Sequence, residues 1–207
     1  MIFNTIPKLS KSAKILEIGC GNGFFLNALA KNGYKNLYGV EPSIKMFKEM
    51  PVILKKRIVV DEFKKNQFPN NSFDFVLCFH TLDHIINPVT FVKNTYSLLK
   101  KGGVALFVVH DAQGLSVKLF GERSAIFDIE HIYLFNKKTL PALFQKAGFK
   151  TSTVFDVKNN YPLWYWFRMS GIPKFVRKLG EKAVRLTGIG FLPVSLNGGN
   201  IGIIVRK

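Results

Sequence analysis

Three alternating glycines, with an acid just before them and another at the end of the next strand, are the residues best spaced for chemistry. Glu17-Ile18-Gly19-Cys20-Gly21-Asn22-Gly23 follows an apolar run and leads directly into a helical pattern. Glycine lets backbone approach a ligand closely and permits the positive φ of a sharp turn. The helix start beyond it offers free amides and partial positive charge to a carboxylate or phosphate. A plain strand-to-helix turn accounts for one or two such glycines, but not for three. Phe24 stands where a dinucleotide fingerprint has its third glycine, which argues against NAD and FAD. Glu41 ends the second strand, 18 residues beyond Gly23, where a carboxylate can accept both hydroxyl protons of a ribose. Asp61-Glu62 ends the third strand, placed to accept from an exocyclic amine such as adenine's. Sequence does not decide which of the two points inward; Asp61 is the preferred choice.

Histidine supplies the second candidate chemistry. The chain has four, His80, His84, His110 and His131, and three of them end or follow strands. Imidazole is the usual base near neutral pH. His110-Asp111 is the expected pair, with His80 a further candidate. The histidines and cysteines show no metal-ligand spacing, so no metal is expected. Both cysteines, Cys20 and Cys78, lie in apolar stretches and read as reduced, buried thiols.

These residues need a scaffold that brings strand ends together. Apolar runs predict strands at 14–19, 36–40, 57–60, 73–79, 104–110, 151–157 and 200–206. Helical periodicity predicts helices at 22–32, 43–50, 88–100 (stopped by Gly102-Gly103) and 137–147. Such alternation means an α/β protein: a doubly wound, mostly parallel sheet whose ligands bind at the carboxyl ends of the strands. Segments 111–136 and 158–199 break the pattern. They read as insertions into a single domain, 1–207, that cover the substrate beside a cofactor-binding core at 14–110.

The runs ILEIGCGNG, GVEPS, FDFVLCF with HTLDHIINP, and LLKKGG resemble, in order and spacing, the class I S-adenosylmethionine-dependent methyltransferases of the small-molecule group. EHIYLF followed by AGF extends the likeness. The resemblance implies a Rossmann-like seven-stranded sheet with an antiparallel last strand. It also implies S-adenosyl-L-methionine as cofactor and S-adenosyl-L-homocysteine as product. Gly19, Cys20, Gly21 and Gly23 would then wrap the methionine portion, and Glu17 would meet its ammonium. Glu41 would hold the ribose, and Asp61 or Glu62 with Phe63 the adenine. Phe79 and His80 would lie near the methyl group, while His84 and His131 would brace loops. Asp83 and Asn87 replace the family's usual Glu and Asp.

Thirty Lys and Arg against 13 Asp and Glu give the chain a net charge of +17, which draws anionic partners. Aromatic residues at 161–167 precede a basic amphipathic helix at 173–187, a pattern suited to a lid or to an anionic membrane surface. The expected acceptor is accordingly a small molecule, a sugar or a lipid-linked glycan, methylated at oxygen. Nucleic acid ranks behind it because Cys78-Phe79-His80-Thr81 lacks the Asn/Asp-Pro-Pro-aromatic tetrad of base-amine methylation. RNA methylation and a non-catalytic cofactor binder are the alternatives. The opening eight residues are too short an apolar run for a leader, so the expected location is cytoplasmic, with peripheral contact at the inner membrane face.

Overall fold

The computed structural model describes residues 9–207 except 125, 128 and 171; the opening octapeptide and those three positions of the two insertions lie outside the described residues. Seven strands form one sheet in the order β3-β2-β1-β4-β5-β7-β6. The central strands β1 (Lys14–Ile18), β4 (Phe73–Phe79) and β5 (Leu99–His110) are apolar along most of their length because helices cover both faces. Alternate residues go to opposite sides. Leu16, Ile18, Val76, Cys78, Phe107 and Phe144 pack on one face, and Ile15, Leu26, Phe75, Leu77 and Leu106 on the other. Each of the largest contributes about 1.5–3 kcal/mol through removal from water.

β2 (Asn36–Val40) and β3 (Ile58–Val59) run parallel to β1 on one side, β4 and β5 on the other. Strand order therefore reverses beside β1, and a crevice opens there at the carboxyl ends. α1 (Phe24–Lys31) starts at Gly23, φ +74°, directly after the glycine turn. α2 (Ile44–Glu49) is capped by Ser43, whose Oγ accepts from the Met46 amide. α3 (Val52–Lys55) is a single turn. α4 (Pro88–Leu98) opens with proline at its first turn and Asn87 as cap. It ends two residues before the expected stop, because Leu99 already pairs with Phe73 and Gly102-Gly103 lie within the irregular start of β5.

The second insertion requires a larger correction. β6 (Thr151–Pro162) and β7 (Pro193–Arg206) continue well past the predicted strand ends, pairing antiparallel as far as Pro162 and Pro193 after a bulge between Val157 and Asn159. Both ends of segment 158–199 are thus a two-stranded ribbon rising from the sheet edge. α7 (Leu163–Met169) and α8 (Lys174–Leu186) sit at its tip. Trp166 secures the tip by donating its indole N–H to the Val194 carbonyl at 2.9 Å. α5 (Leu115–Phe120) belongs to segment 111–136, which returns to the sheet through an Asp111–Phe135 bridge. α6 (Thr139–Lys146) follows. Among the described residues no helix is long and apolar enough to cross a membrane.

Candidate functional site

Two cavities meet at the carboxyl ends of β1, β4 and β5, and His80 forms part of the wall of both. The first, about 650 Å³, is lined by Gly19, Glu41, Glu62, Phe63, Phe79 and the 80–94 segment. The second, about 460 Å³, lies under the ribbon tip between α5 and α7.

The glycine turn borders the first cavity through Gly19. Gly19, Gly21 and Gly23 all have positive φ (73°, 52° and 74°), and the amides of Gly19 and Cys20 both bond the Val40 carbonyl. Glu41 ties the turn to β2: its Oε2 accepts from the Gly21 amide at 2.7 Å and its Oε1 from the Ser43 amide at 2.9 Å. Each oxygen keeps a second lone pair for a further donor. Beneath the turn, Glu17 is buried, and among the described residues its Oε2 has no hydrogen-bond partner. Burial pushes its pKa up to about 8; the Leu26 amide opposes the shift and the Glu41 carboxylate adds to it. A buried, unsatisfied carboxylate oxygen suits a cationic donor, as the ammonium of a methionine moiety would be. Cys20 is buried behind the turn, and burial together with Glu17 and Glu41 pushes its thiol far up, so it stays protonated.

At the end of β3 the structure distinguishes the two acids. Asp61 turns to solvent and pairs with Lys64 at 2.8 Å, whereas Glu62 and Phe63 line the cavity. The preferred choice, Asp61, is thereby replaced by Glu62. Glu62→Gln should weaken binding of the demethylated cofactor by about tenfold, the worth of one charged hydrogen bond. Asp61→Asn should change it by less than twofold. Calorimetry on both variants checks this, and equal losses would reverse the assignment.

The histidines form a chain of adjacent rings. Centroids lie 4.7 Å apart for His80–His110, 4.6 Å for His110–His131 and 4.9 Å for His131–His84. His84 and His131 each donate Nδ1–H to a loop carbonyl, of Glu130 and Ile126 respectively, which is how they brace the loops. His110 does not pair with Asp111. Neighbours along an extended chain point to opposite sides, and Asp111 instead accepts from the Gln113 amide. The partner of His110 is Asp83, fully buried, whose Oδ2 lies 2.8 Å from Nδ1 and also accepts from the His110 amide. His80 holds a left-handed backbone, φ +48°. This is a strained conformation for a side-chain-bearing residue, and such strain clusters at functional sites. Crowding by protein atoms, then the neighbouring His110, push its pKa down to about 4, so the ring is neutral.

Sequence reasoning missed Asp83 as a partner and missed the second cavity. Phe120, Tyr161, Tyr165 and Trp166 supply its rings, and Asn159, Asn197 and Asn200 its amides. The aromatic run 161–167 was the visible signal, but its inward direction depends on the ribbon.

A family model described as a methyltransferase domain matches residues 2–154. The tRNA U34 carboxymethyltransferase of Campylobacter fetus is 28% identical over 160 residues, covering 74% of this chain and 57% of the relative. The ubiquinone biosynthesis O-methyltransferase of Histophilus somni is 29% identical over 104 residues, covering 45% of this chain and 43% of that one. The match spans only part of the length of the tRNA relatives, 57% and 53% for two of them. Among solved structures, a SAM-dependent methyltransferase from Archaeoglobus fulgidus shares the fold, with a TM-score of 0.67 at 19% identity, covering 100% of this chain and 91% of that one. So does phosphoethanolamine N-methyltransferase 2 of Haemonchus contortus in complex with S-adenosyl-L-methionine, at 0.63 and 16%, covering 100% and 51%.

These relatives correct one expectation. The sequence places nucleic acid behind lipid-linked acceptors and a membrane contact, yet several of the relatives are by name tRNA enzymes. The tetrad that ranking relied on marks base-amine chemistry only, and says nothing against a nucleic-acid oxygen. The glycine turn, the acids at the ends of β1 and β2, the sheet order and the family match converge: the chain belongs to the class I S-adenosylmethionine-dependent methyltransferases, whose cofactor is S-adenosylmethionine.

Proposed function

We propose that this protein methylates an oxygen on an unstacked base of RNA, with tRNA the leading class of acceptor. The observation that carries the reading is the second cavity. Its four aromatic rings offer stacking faces, its three asparagine amides can read a base edge, and it meets the cofactor cavity at His80. RNA is recognised in this way when single-stranded bases are splayed out onto aromatic side chains and bonded along their edges. Support also comes from the tRNA-directed relatives and from the +17 charge, which suits a phosphate backbone. The exposed basic residues of α8, among them Lys174, Lys178 and Lys182, stand one helix away from the cavity wall and would meet phosphates.

When bound, S-adenosylmethionine supplies a methyl group on a sulfonium sulfur, an excellent leaving group. The work of the chain is therefore positioning and water exclusion. Glu17 would neutralise the ammonium, Glu41 would orient the ribose, and Glu62 with Phe63 would fix the adenine. The neutral His80 ring marks the opening through which the two cavities communicate. α7 and the ribbon hold the acceptor over that opening and keep the chamber dry.

Incubation with methyl-labelled cofactor and unfractionated tRNA should give label that ribonuclease renders acid-soluble. Trp166→Ala should lower kcat/KM for RNA about 10- to 100-fold, the worth of one stacked base, while leaving cofactor affinity unchanged. No label in RNA, with label entering a nuclease-resistant small molecule when cell extract replaces tRNA, would replace RNA with a small-molecule acceptor.

A further inference from the structure

His80, Asp83 and His110 come from separate positions around the ends of β4 and β5, yet each offers one ligand atom within 4.8 Å of the other two. Sequence spacing could not reveal this set, because the chain separates His110 from the others by a helix and a strand. Asp83 is the informative member. It is fully buried, and among the described residues the only ion-pair partner recorded for it is His110. Among the described residues its Oδ1 has no hydrogen-bond partner. A buried carboxylate oxygen left in this way is costly, and a bound cation is one of the few groups that offset it. His80 adds the second pointer: its left-handed backbone at φ +48° puts the ring beside His110, with centroids 4.7 Å apart.

We propose that His80, Asp83 and His110 form a binding site for a single divalent transition-metal ion at the junction of the two cavities. Two imidazoles and one carboxylate make a donor set of intermediate hardness, suited to Mn²⁺, Fe²⁺, Co²⁺ or Zn²⁺ rather than to Mg²⁺ or Ca²⁺. His110 would ligate through Nδ1. The proton now between Nδ1 and Asp83 would pass through solvent to Nε2, leaving the ring neutral. Three protein ligands leave coordination positions open, and both histidines border the second cavity, so the open side faces the acceptor. An acceptor hydroxyl bound there would release its proton to water at a lower pH, becoming the better nucleophile. That role rests on the oxygen-acceptor reading above; the site itself does not.

The test uses the full chain and the metal alone. After chelator treatment and dialysis, titration with Co²⁺, followed by calorimetry and visible absorption, should show one equivalent bound and displaced by Zn²⁺. Asp83→Asn and His80→Gln should each weaken binding at least tenfold, since even outer-sphere changes cost that much. Asp61→Asn, at an exposed acid outside the cluster, should not. His80→Gln alters a cavity-facing ring and guards against misfolding of the Asp83 variant; circular dichroism confirms the fold of each. Absence of stoichiometric binding of Co²⁺, Mn²⁺ or Zn²⁺ by folded wild-type protein, or equal affinity in His80→Gln, overturns the proposal. Metal binding without RNA labelling would sink only the acceptor reading.

Discussion

Gly19→Ala is expected to reduce affinity for S-adenosylhomocysteine by at least a hundredfold in calorimetry while leaving the domain folded. Two physical costs coincide at this position. The backbone sits at φ +73°, where a Cβ costs about 1–2 kcal/mol. The added carbon would also lie 2.1 Å from Thr81 Oγ1, 3.0 Å from its Cγ2 and 3.1 Å from its Cβ. Thr81 cannot simply rotate away, because its hydroxyl bonds the Phe79 carbonyl and it starts the turn that carries Asp83. The glycine turn must therefore move, and with it the Gly21 amide that holds Glu41. Gly21→Ala is the matched control: its φ is also positive, +52°, but nothing lies within 4 Å of the added carbon. It should lose only about tenfold. Gly19→Ala combined with Thr81→Ala should recover the steric part and leave the backbone part, a coupling that a double-mutant cycle measures. Equal losses at Gly19 and Gly21 would mean that contact with Thr81 is not what sets the turn.

Glu17→Gln carries the other large effect, and it is a pH effect. The carboxyl has its pKa raised to about 8 in the folded chain, against 4.5 as the ordinary value. Between those two values the folded chain keeps a proton that the unfolded chain releases, so stability falls as pH rises through the window. Above about pH 8 the full cost applies, on the order of 5 kcal/mol at about 1.4 kcal/mol per unit. Glutamine cannot ionise. The ligand-free variant should therefore match wild type near pH 5 and melt about 10 °C higher at pH 9, given the ~2–4 °C per kcal/mol of a domain this size. Cofactor binding should show the opposite preference. An ammonium favours the ionised carboxylate, so wild-type affinity should rise from pH 6 to 8 while that of Glu17→Gln stays flat and about a hundredfold weaker at pH 8. Thermal melts and calorimetry at several pH values check both halves; parallel pH slopes in the two proteins would place the ammonium elsewhere.

The parts legible from sequence were those fixed by local physics. β1 and β4 declare themselves as near-continuous apolar runs because both faces are covered, and Glu41 is found by its distance from the glycine turn. Asp61 and Glu62 could not be separated because β3 is only two residues long, too short for alternation to set which side chain faces in. The ribbon was hidden for a different reason. Residues 158–162 and 193–199 are rich in Asn, Gly and Pro, carry no alternating pattern, and are extended only because each strand has the other as a partner. The His110–Asp83 pair is a product of topology: β4 and β5 are adjacent and parallel, so the turn after one meets the end of the other. Sequence adjacency suggested Asp111, and strand geometry turned that residue away.

The split between the two cavities along the chain has a consequence for synthesis. Among the described residues, all those lining the first cavity lie between positions 19 and 94, upstream of the two insertions. The second cavity is incomplete until Asn200, because its roof hangs on the β6–β7 pairing. A nascent chain therefore presents the residues of the first cavity before those of the second, and pairing of the final hairpin completes the chamber proposed for the acceptor.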